Sequence, residues 1–410
     1  MVRSRPGHIH VRAARPRRAA TPTPGRHERV AYLDNLKVLL VAAIIAAHGI
    51  GAYSWLDGAW PYQSVREVRL TAVGDVVLSV PALPGLLFVM ALFFLISGLI
   101  TPASMSRKGP VGFARGRLAR LGIPLLVWVL GIWPALVYAV HMAAGERYSY
   151  WHGFVRANPF LDSGPMWFVA VLLIFSLGYA GWRQWAQRAT KRRAASTQPS
   201  SDPRRRLPGR TVVLLAVAAS VATILIRPVF PFMSSQVGQL KLWQWPEYLA
   251  LFGLGIVAAQ RGWFDPMPDR LRRGCGRAAL VALLALAALT AAILLTSQKL
   301  DVIGEPGLHW APLAMAAIEG PLAVTAAIWL LGVAQRRLER PLGRGIKALA
   351  RSSYGAFILQ GPVLIGLMLV LRPLSLPAEA KGLIVASAGV AGSFALAWVL
   401  VTRTPVARIL

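Results

Sequence analysis

Apolar runs of 17 residues or more recur along this 410-residue chain, and polar connections separate them. A helix rises about 1.5 Å per residue, so roughly 20 apolar residues cross the ~30 Å hydrocarbon core of a bilayer. Charged residues make up only 15% of the chain, against about 25% in soluble domains, while 56% are hydrophobic and the mean hydropathy is +0.53. These runs predict an all-α polytopic membrane protein of about ten transmembrane helices. They are expected at 35–54, 87–104, 121–141, 166–182, 211–227, 246–260, 278–297, 311–334, 353–371 and 383–402. The 246–260 run is short unless it begins within Trp243–Trp245, whose aromatics suit a membrane interface.

Net charge is +29, but the charges alternate with the apolar runs instead of forming one patch. No nucleic-acid motif with interleaved aromatics accompanies them, so the charge reads as topology and nucleic acid is not an expected partner. Nine cations (Arg66, Arg69, Arg147, Arg156, Arg227, Lys241, Lys299, Arg372 and Lys381) fall in one set of connections, and the other 36 of 45 fall in the alternate set. The positive-inside rule puts the rich set, with both termini, in the cytoplasm. Residues 1–30 carry eight Arg and no apolar core of a signal peptide. They predict a disordered basic tail attracted to anionic membrane lipids, ahead of a membrane domain at 31–410. The 183–210 connection is rich in Ser, Pro and Arg and predicts a flexible loop. A single cysteine, Cys275, rules out an intrachain disulfide, and no Asp/Glu/His cluster supports a metal site.

His48 is the one histidine well inside an expected span, eleven residues after Lys37. On a helix that separation is about 16 Å along the axis and about 20° in azimuth, so both residues occupy one face, Lys37 near a membrane surface and His48 deep. A buried imidazole either bonds a backbone carbonyl or acts as a base near neutral pH. Asp34 shares the face of Lys37, as its holder or as a first-turn carboxylate. Arg117 and Arg120, at i and i+3, share a face as well. They read either as positive-inside flanks or as a clamp for phosphate oxygens, which suits the guanidinium fork. Glu319 lies mid-span beside Gly320-Pro321, where a carboxylate costs on the order of 2.5–3.5 kcal/mol. It either lines the same cavity, pairing a cation or holding substrate hydroxyls, or bonds backbone freed by Pro321.

Together these segments resemble the acyltransferase 3 family of membrane O-acyltransferases. Leu33-Asp34-Asn35-Leu36-Lys37 with His48 is similar to the family's opening signature. The resemblance continues through Phe93-Phe94-Leu95-Ile96-Ser97-Gly98, Phe113 with Arg117, Arg120 and Pro124, Gly164-Pro165-Met166-Trp167-Phe168, and Ser353-Tyr354-Gly355. It covers roughly 30–403 and implies helices enclosing a transmembrane cavity. Acyl-CoA would enter it from the cytoplasm as co-substrate, with no resident cofactor. The acyl group, acetyl or succinyl, would pass to a hydroxyl of an extracytoplasmic cell-envelope glycan or glycolipid. His48 and Glu319 would then be catalytic, and Lys37, Asp34, Arg117, Arg120 and Trp167 would bind substrate. Lys37 stands where Arg is commoner, and Gln360 where many members carry His. No extracytoplasmic domain follows the tenth expected helix, so transfer is expected to be direct or through a partner. The expected location is the bacterial plasma membrane. The rival expectation is a transporter or flippase of a lipid-linked or acylated sugar, with His48 as a gate or proton relay.

Overall fold

A computed structural model describes residues 28–55, 60–147, 149–151, 160–192, 207–234, 237–296, 300–305, 309–339 and 343–404. Residues 1–27 of the basic tail, residues 193–206 of the 183–210 loop, His152, Arg156 and Lys299 lie outside them; residues 183–192 and 209–210, expected as loop, are helical because they extend the neighbouring spans. Among the described residues the fold is helical throughout, without strands. The longer helices are α1 (Glu28–Gly51), α4 (Leu83–Arg117), α7 (Trp167–Arg192), α8 (Gly209–Ile226), α9 (Trp245–Arg261), α10 (Asp269–Leu295), α11 (Trp310–Arg337), α12 (Arg344–Leu371) and α13 (Ala378–Arg403). Shorter pieces are α2 (Tyr62–Val65), α3 (Ala72–Leu78), α5 (Ile123–Val127) and α6 (Trp133–Ala143).

Among the described residues, each of the ten expected spans lies mainly on helix, with turns only at the ends of some. Among the described residues eight stretches are long and apolar enough to cross a membrane, and one of them, Ala72–Ala143, covers two expected spans. The 17-residue α9 is shorter than the rest, and a tight turn at Leu242–Gln244 leads into it. The chain is a multi-pass membrane protein.

The connection expected between the second and third spans is helical instead of a loop. Met105, Arg107, Lys108 and Ala114 are compatible with helix, and the chain turns within α4 at Gly109, whose φ of 68° only glycine adopts cheaply. Pro110 follows and cannot donate to the ladder. The result is one long helix with two arms, Arg107 and Lys108 before the bend and Arg117 after it. Beyond α4 the helix widens into π turns at Leu118–Gly122 and Trp128–Ile132. Pro124 and Pro134 explain both, since each ring displaces the carbonyl four residues earlier.

Helix α1 packs against α11, α12 and α13, while α4 packs against α7, α9 and α11. Two close approaches set these contacts. A Cβ on Gly49 would lie 2.9 Å from the Ala386 Cα of α13, and one on Gly98 would lie 3.0 Å from the Gly255 Cα of α9. The latter is the close packing expected of the small Ser97-Gly98 step. Asn35 fixes the start of α1 by donating from Nδ2 to the Leu338 carbonyl at 2.7 Å. Helix α11 is the most enclosed, with 67% of its apolar window buried, against 22% for α10. The outward leucines of α10, such as Leu284 and Leu295, suit contact with lipid.

Candidate active site

Helices α1, α4, α7 and α12 surround a cavity of about 440 Å³. Its mouth is cationic. Lys37 comes from α1, Arg107 and Lys108 from one arm of α4, Arg117 from the other, and Arg120 from the wide turn beyond. The Gly109 bend is what brings Arg107 and Lys108 to the same opening as Arg117 and Arg120. No carboxylate among the described residues lines it. Lys37 pairs with Asp34 at 2.7 Å, so Asp34 holds it in place. The other four cations have no ion-pair partner among the described residues. Arg117 lies over the Phe113 ring at 5.1 Å, and its Nη2 sits 3.5 Å from Thr101 Oγ1. Its donors are otherwise uncommitted, a costly arrangement for a half-buried guanidinium unless an anion completes it.

The wide turn is also satisfied locally. Pro124 frees the Arg120 carbonyl, and the Tyr354 hydroxyl fills it at 3.0 Å. Tyr354 lines the same cavity, so the proline, the arginine and the tyrosine of the sequence signature form one local unit.

Further in, the walls turn apolar, with Val41, Phe93, Ile96, Phe168 and Phe357. His48 does not line this cavity. It stands two turns beyond Val41 on the same helix, about 10 Å further along the axis. Its Nδ1 lies 2.9 Å from Gln360 Oε1, while Gln360 Nε2 donates to the Phe357 carbonyl at 2.9 Å. A carbonyl can only accept, so the amide nitrogen faces Phe357 and the amide oxygen faces the imidazole. Nδ1 therefore carries the hydrogen and Nε2 keeps its lone pair, the tautomer of a base. Gln360, read from sequence only as a missing histidine, thus orients the ring. It connects His48 to Phe357, a residue of the cavity wall. The imidazole also contacts the Trp60 indole, with ring centroids 5.1 Å apart.

Glu319 does not join this site, which corrects the expectation that it lines the cavity. It pairs with Arg227, and both side chains are 1% exposed. The carbonyl freed by Pro321, that of Ala317, is taken by Ser220 Oγ at 3.0 Å and not by Glu319. Thr223 donates to the neighbouring Glu247 at 2.5 Å, and Arg227 also faces the rings of Phe232 and Trp243. Arg227 is thus a buried ion-pair partner and not a topological charge in a connection. Trp167 lies apart from the cavity too, stacked on Tyr248 at 5.7 Å; its neighbour Phe168 is the cavity residue.

Sequence reasoning placed Lys37, Arg117 and Arg120 together, and they share the cavity. It placed Arg107 and Lys108 only in a basic connection, because their approach depends on the Gly109 bend. It gave Trp60 no role, since no local pattern ties residue 60 to residue 48.

Comparison with known proteins identifies the family. No curated protein and no solved structure matches the chain at a significant level. The family model described as an acyltransferase domain, acyltransferase 3, matches residues 30–402, from the first turn of α1 to the end of α13. The chain therefore belongs to the acyltransferase 3 family and is a membrane acyltransferase.

Proposed function

We propose that the protein transfers an acyl group, acetyl or succinyl, from acyl-CoA to a hydroxyl of a cell-envelope glycan or glycolipid. It would do so in a bacterial plasma membrane with the basic cavity mouth facing the cytoplasm. The observation that carries this reading is the cavity itself. Lys37, Arg107, Lys108, Arg117 and Arg120 converge on it without a lining carboxylate, and a concave site of one charge sign concentrates a polyanion. The phosphates of CoA meet that description. An extended pantetheine arm is comparable in length with the roughly 16 Å that eleven helical residues put between Lys37 and His48. The thioester would then pass the aromatic wall at Phe93, Phe168 and Phe357 and reach the imidazole.

His48 acts as the general base in this scheme. Its Nε2 accepts the proton of the acceptor hydroxyl as the oxygen attacks the thioester carbonyl, the C–S bond breaks, and the sulfur takes that proton as CoA leaves. Gln360 positions the base by fixing the Nδ1–H, and Asp34 positions Lys37. The test is transfer by purified protein in lipid, with radiolabelled acetyl- or succinyl-CoA and extracted envelope glycans. Label on the glycan that depends on His48 supports the reading. Glycan movement across the bilayer without label transfer would replace it with a transporter.

A further inference from the structure

We propose that Trp60 is a positioning residue for the reaction: its indole closes the side of His48 away from the basic cavity, keeping bulk water from the thioester so that transfer outruns hydrolysis. This rests on the acyl-transfer reading above. A base able to take a proton from an acceptor hydroxyl takes one equally well from water. In that side reaction water attacks the thioester carbonyl, the C–S bond breaks, the proton passes through His48 to the sulfur, and a free carboxylic acid leaves with CoA. A site of this kind needs water excluded on every side not occupied by substrate.

The geometry supplies that exclusion through three indoles. Trp60 contacts His48 and is 8% exposed. Behind it, Trp133 meets Trp60 edge-on at 5.9 Å and stacks on Trp128 at 5.8 Å. All three are core residues, and the two behind are each pinned by the indole N–H. Trp133 donates to Asp162 Oδ2 at 2.8 Å, and Trp128 donates to the Ser163 carbonyl at 3.0 Å.

Trp60 is held differently. It belongs to the strap 60–70, which is buried at Tyr62, Val65 and Leu70 and is also tied by polar bonds to the ends of α12 and α13. Glu67 has both oxygens engaged, one by Tyr62 at 2.5 Å and one by Lys381 at 2.6 Å. Arg372 donates to the Val65 carbonyl at 2.5 Å. Lys381 is only 1% exposed, so this is a built contact and not a surface pair. The wall nearest the base thus rides on a strap held both by apolar burial and by polar bonds, and Trp60 belongs to the same hydrophobic core as the two indoles behind it.

The experiment follows CoA release from labelled acyl-CoA with and without acceptor, and reports the ratio of hydrolysis to transfer. Trp60→Ala should raise that ratio about ten-fold, whereas Trp60→Phe should hold it within about two-fold. A Trp60→Ala protein that still transfers at an unchanged ratio, or loses both rates together, overturns the proposal. If Trp60→Ala does not fold, Glu67→Gln, which weakens the strap at Lys381, is read by the same ratio and the same two outcomes. Wild-type protein that transfers no acyl group defeats the parent reading instead.

Discussion

Arg117 and Arg227 are the same residue type in the same membrane domain, yet their surroundings differ in kind. Arg227 faces Glu319, with both side chains 1% exposed, and lies against Phe232 and Trp243. Arg117 faces a cavity with four other cations, a hydroxyl at 3.5 Å and no carboxylate. A charge that serves the fold is neutralised inside the fold, because an unpaired buried ion costs several kcal/mol. A charge left unpaired beside a cavity is one whose counter-charge arrives with a ligand. The strap makes the same contrast on the sparsely charged side, where Lys381 and Arg372 are tied down by Glu67 and a backbone carbonyl. Cations of that side thus act as anchors more than as free charge.

The comparison implies that variants of the cavity line change turnover while variants of the buried pair change folding. The largest effect falls on His48. His48→Ala should lower kcat about 10²–10⁴-fold, the usual contribution of a general base. The KM for acyl-CoA should stay close to that of the parent, because the phosphate-facing cations remain. Normal turnover by a correctly inserted His48→Ala protein would remove the assignment.

Next comes the buried pair. Arg227→Met leaves Glu319 buried without its partner, a change expected to cost about 3–5 kcal/mol. Thermal unfolding in detergent should show a clear drop in Tm, and the double variant Arg227→Met/Glu319→Leu should recover much of it. If instead Arg227→Met folds normally and loses only kcat, the pair belongs to the chemistry and the contrast drawn above fails.

A smaller loss is expected at Gln360. Removing a partner that fixes an imidazole tautomer costs roughly 10–100-fold in comparable sites. Gln360→Ala should therefore lower kcat by that order, with little change in KM for acyl-CoA. An unchanged kcat would mean that the ring needs no orienting partner.

The smallest effect concerns pH. Burial pushes the Glu67 carboxyl up, but hydrogen bonds from Lys381 and Tyr62 outweigh it and hold the group below its ordinary value of 4.5. A depressed carboxyl contributes stability that is complete above the ordinary value. That contribution is lost as pH falls through the lower folded value. Acid should therefore loosen the strap, and Glu67→Gln should flatten the dependence of Tm on pH below about 4.5. Equal acid sensitivity in both proteins would show that Glu67 is not the group responsible.

Much of this was readable in the chain and some was not, for physical reasons. Ten apolar runs and one side-chain face from Lys37 to His48 follow from helix periodicity, which is local. The pairing of Arg117 with Arg120 at one opening follows from i,i+3 spacing for the same reason. The helical 105–120 segment was missed because basic residues flanking a span look like a loop, and only the positive φ at Gly109 turns a continuous helix there. Glu319 does pair a cation, one of the readings of the sequence, but away from the cavity, and its partner could not be named because it lies 92 residues distant. Gln360 and Trp60 depend on tertiary contacts 312 and 12 residues away from His48, respectively, with no repeating pattern to betray them.

The most direct measurement is equilibrium binding of CoA to the protein in lipid nanodiscs, comparing wild type with Arg117→Lys across a range of salt. Lysine keeps the charge and the topology but loses the planar fork that grips phosphate. If the unpaired cations of the cavity are completed by the donor's phosphates, wild-type affinity falls as salt rises. Arg117→Lys then binds about ten-fold more weakly at low salt, about 1.4 kcal/mol. CoA affinity that is indifferent both to salt and to this substitution would contradict the account, leaving these cations as topological flanks.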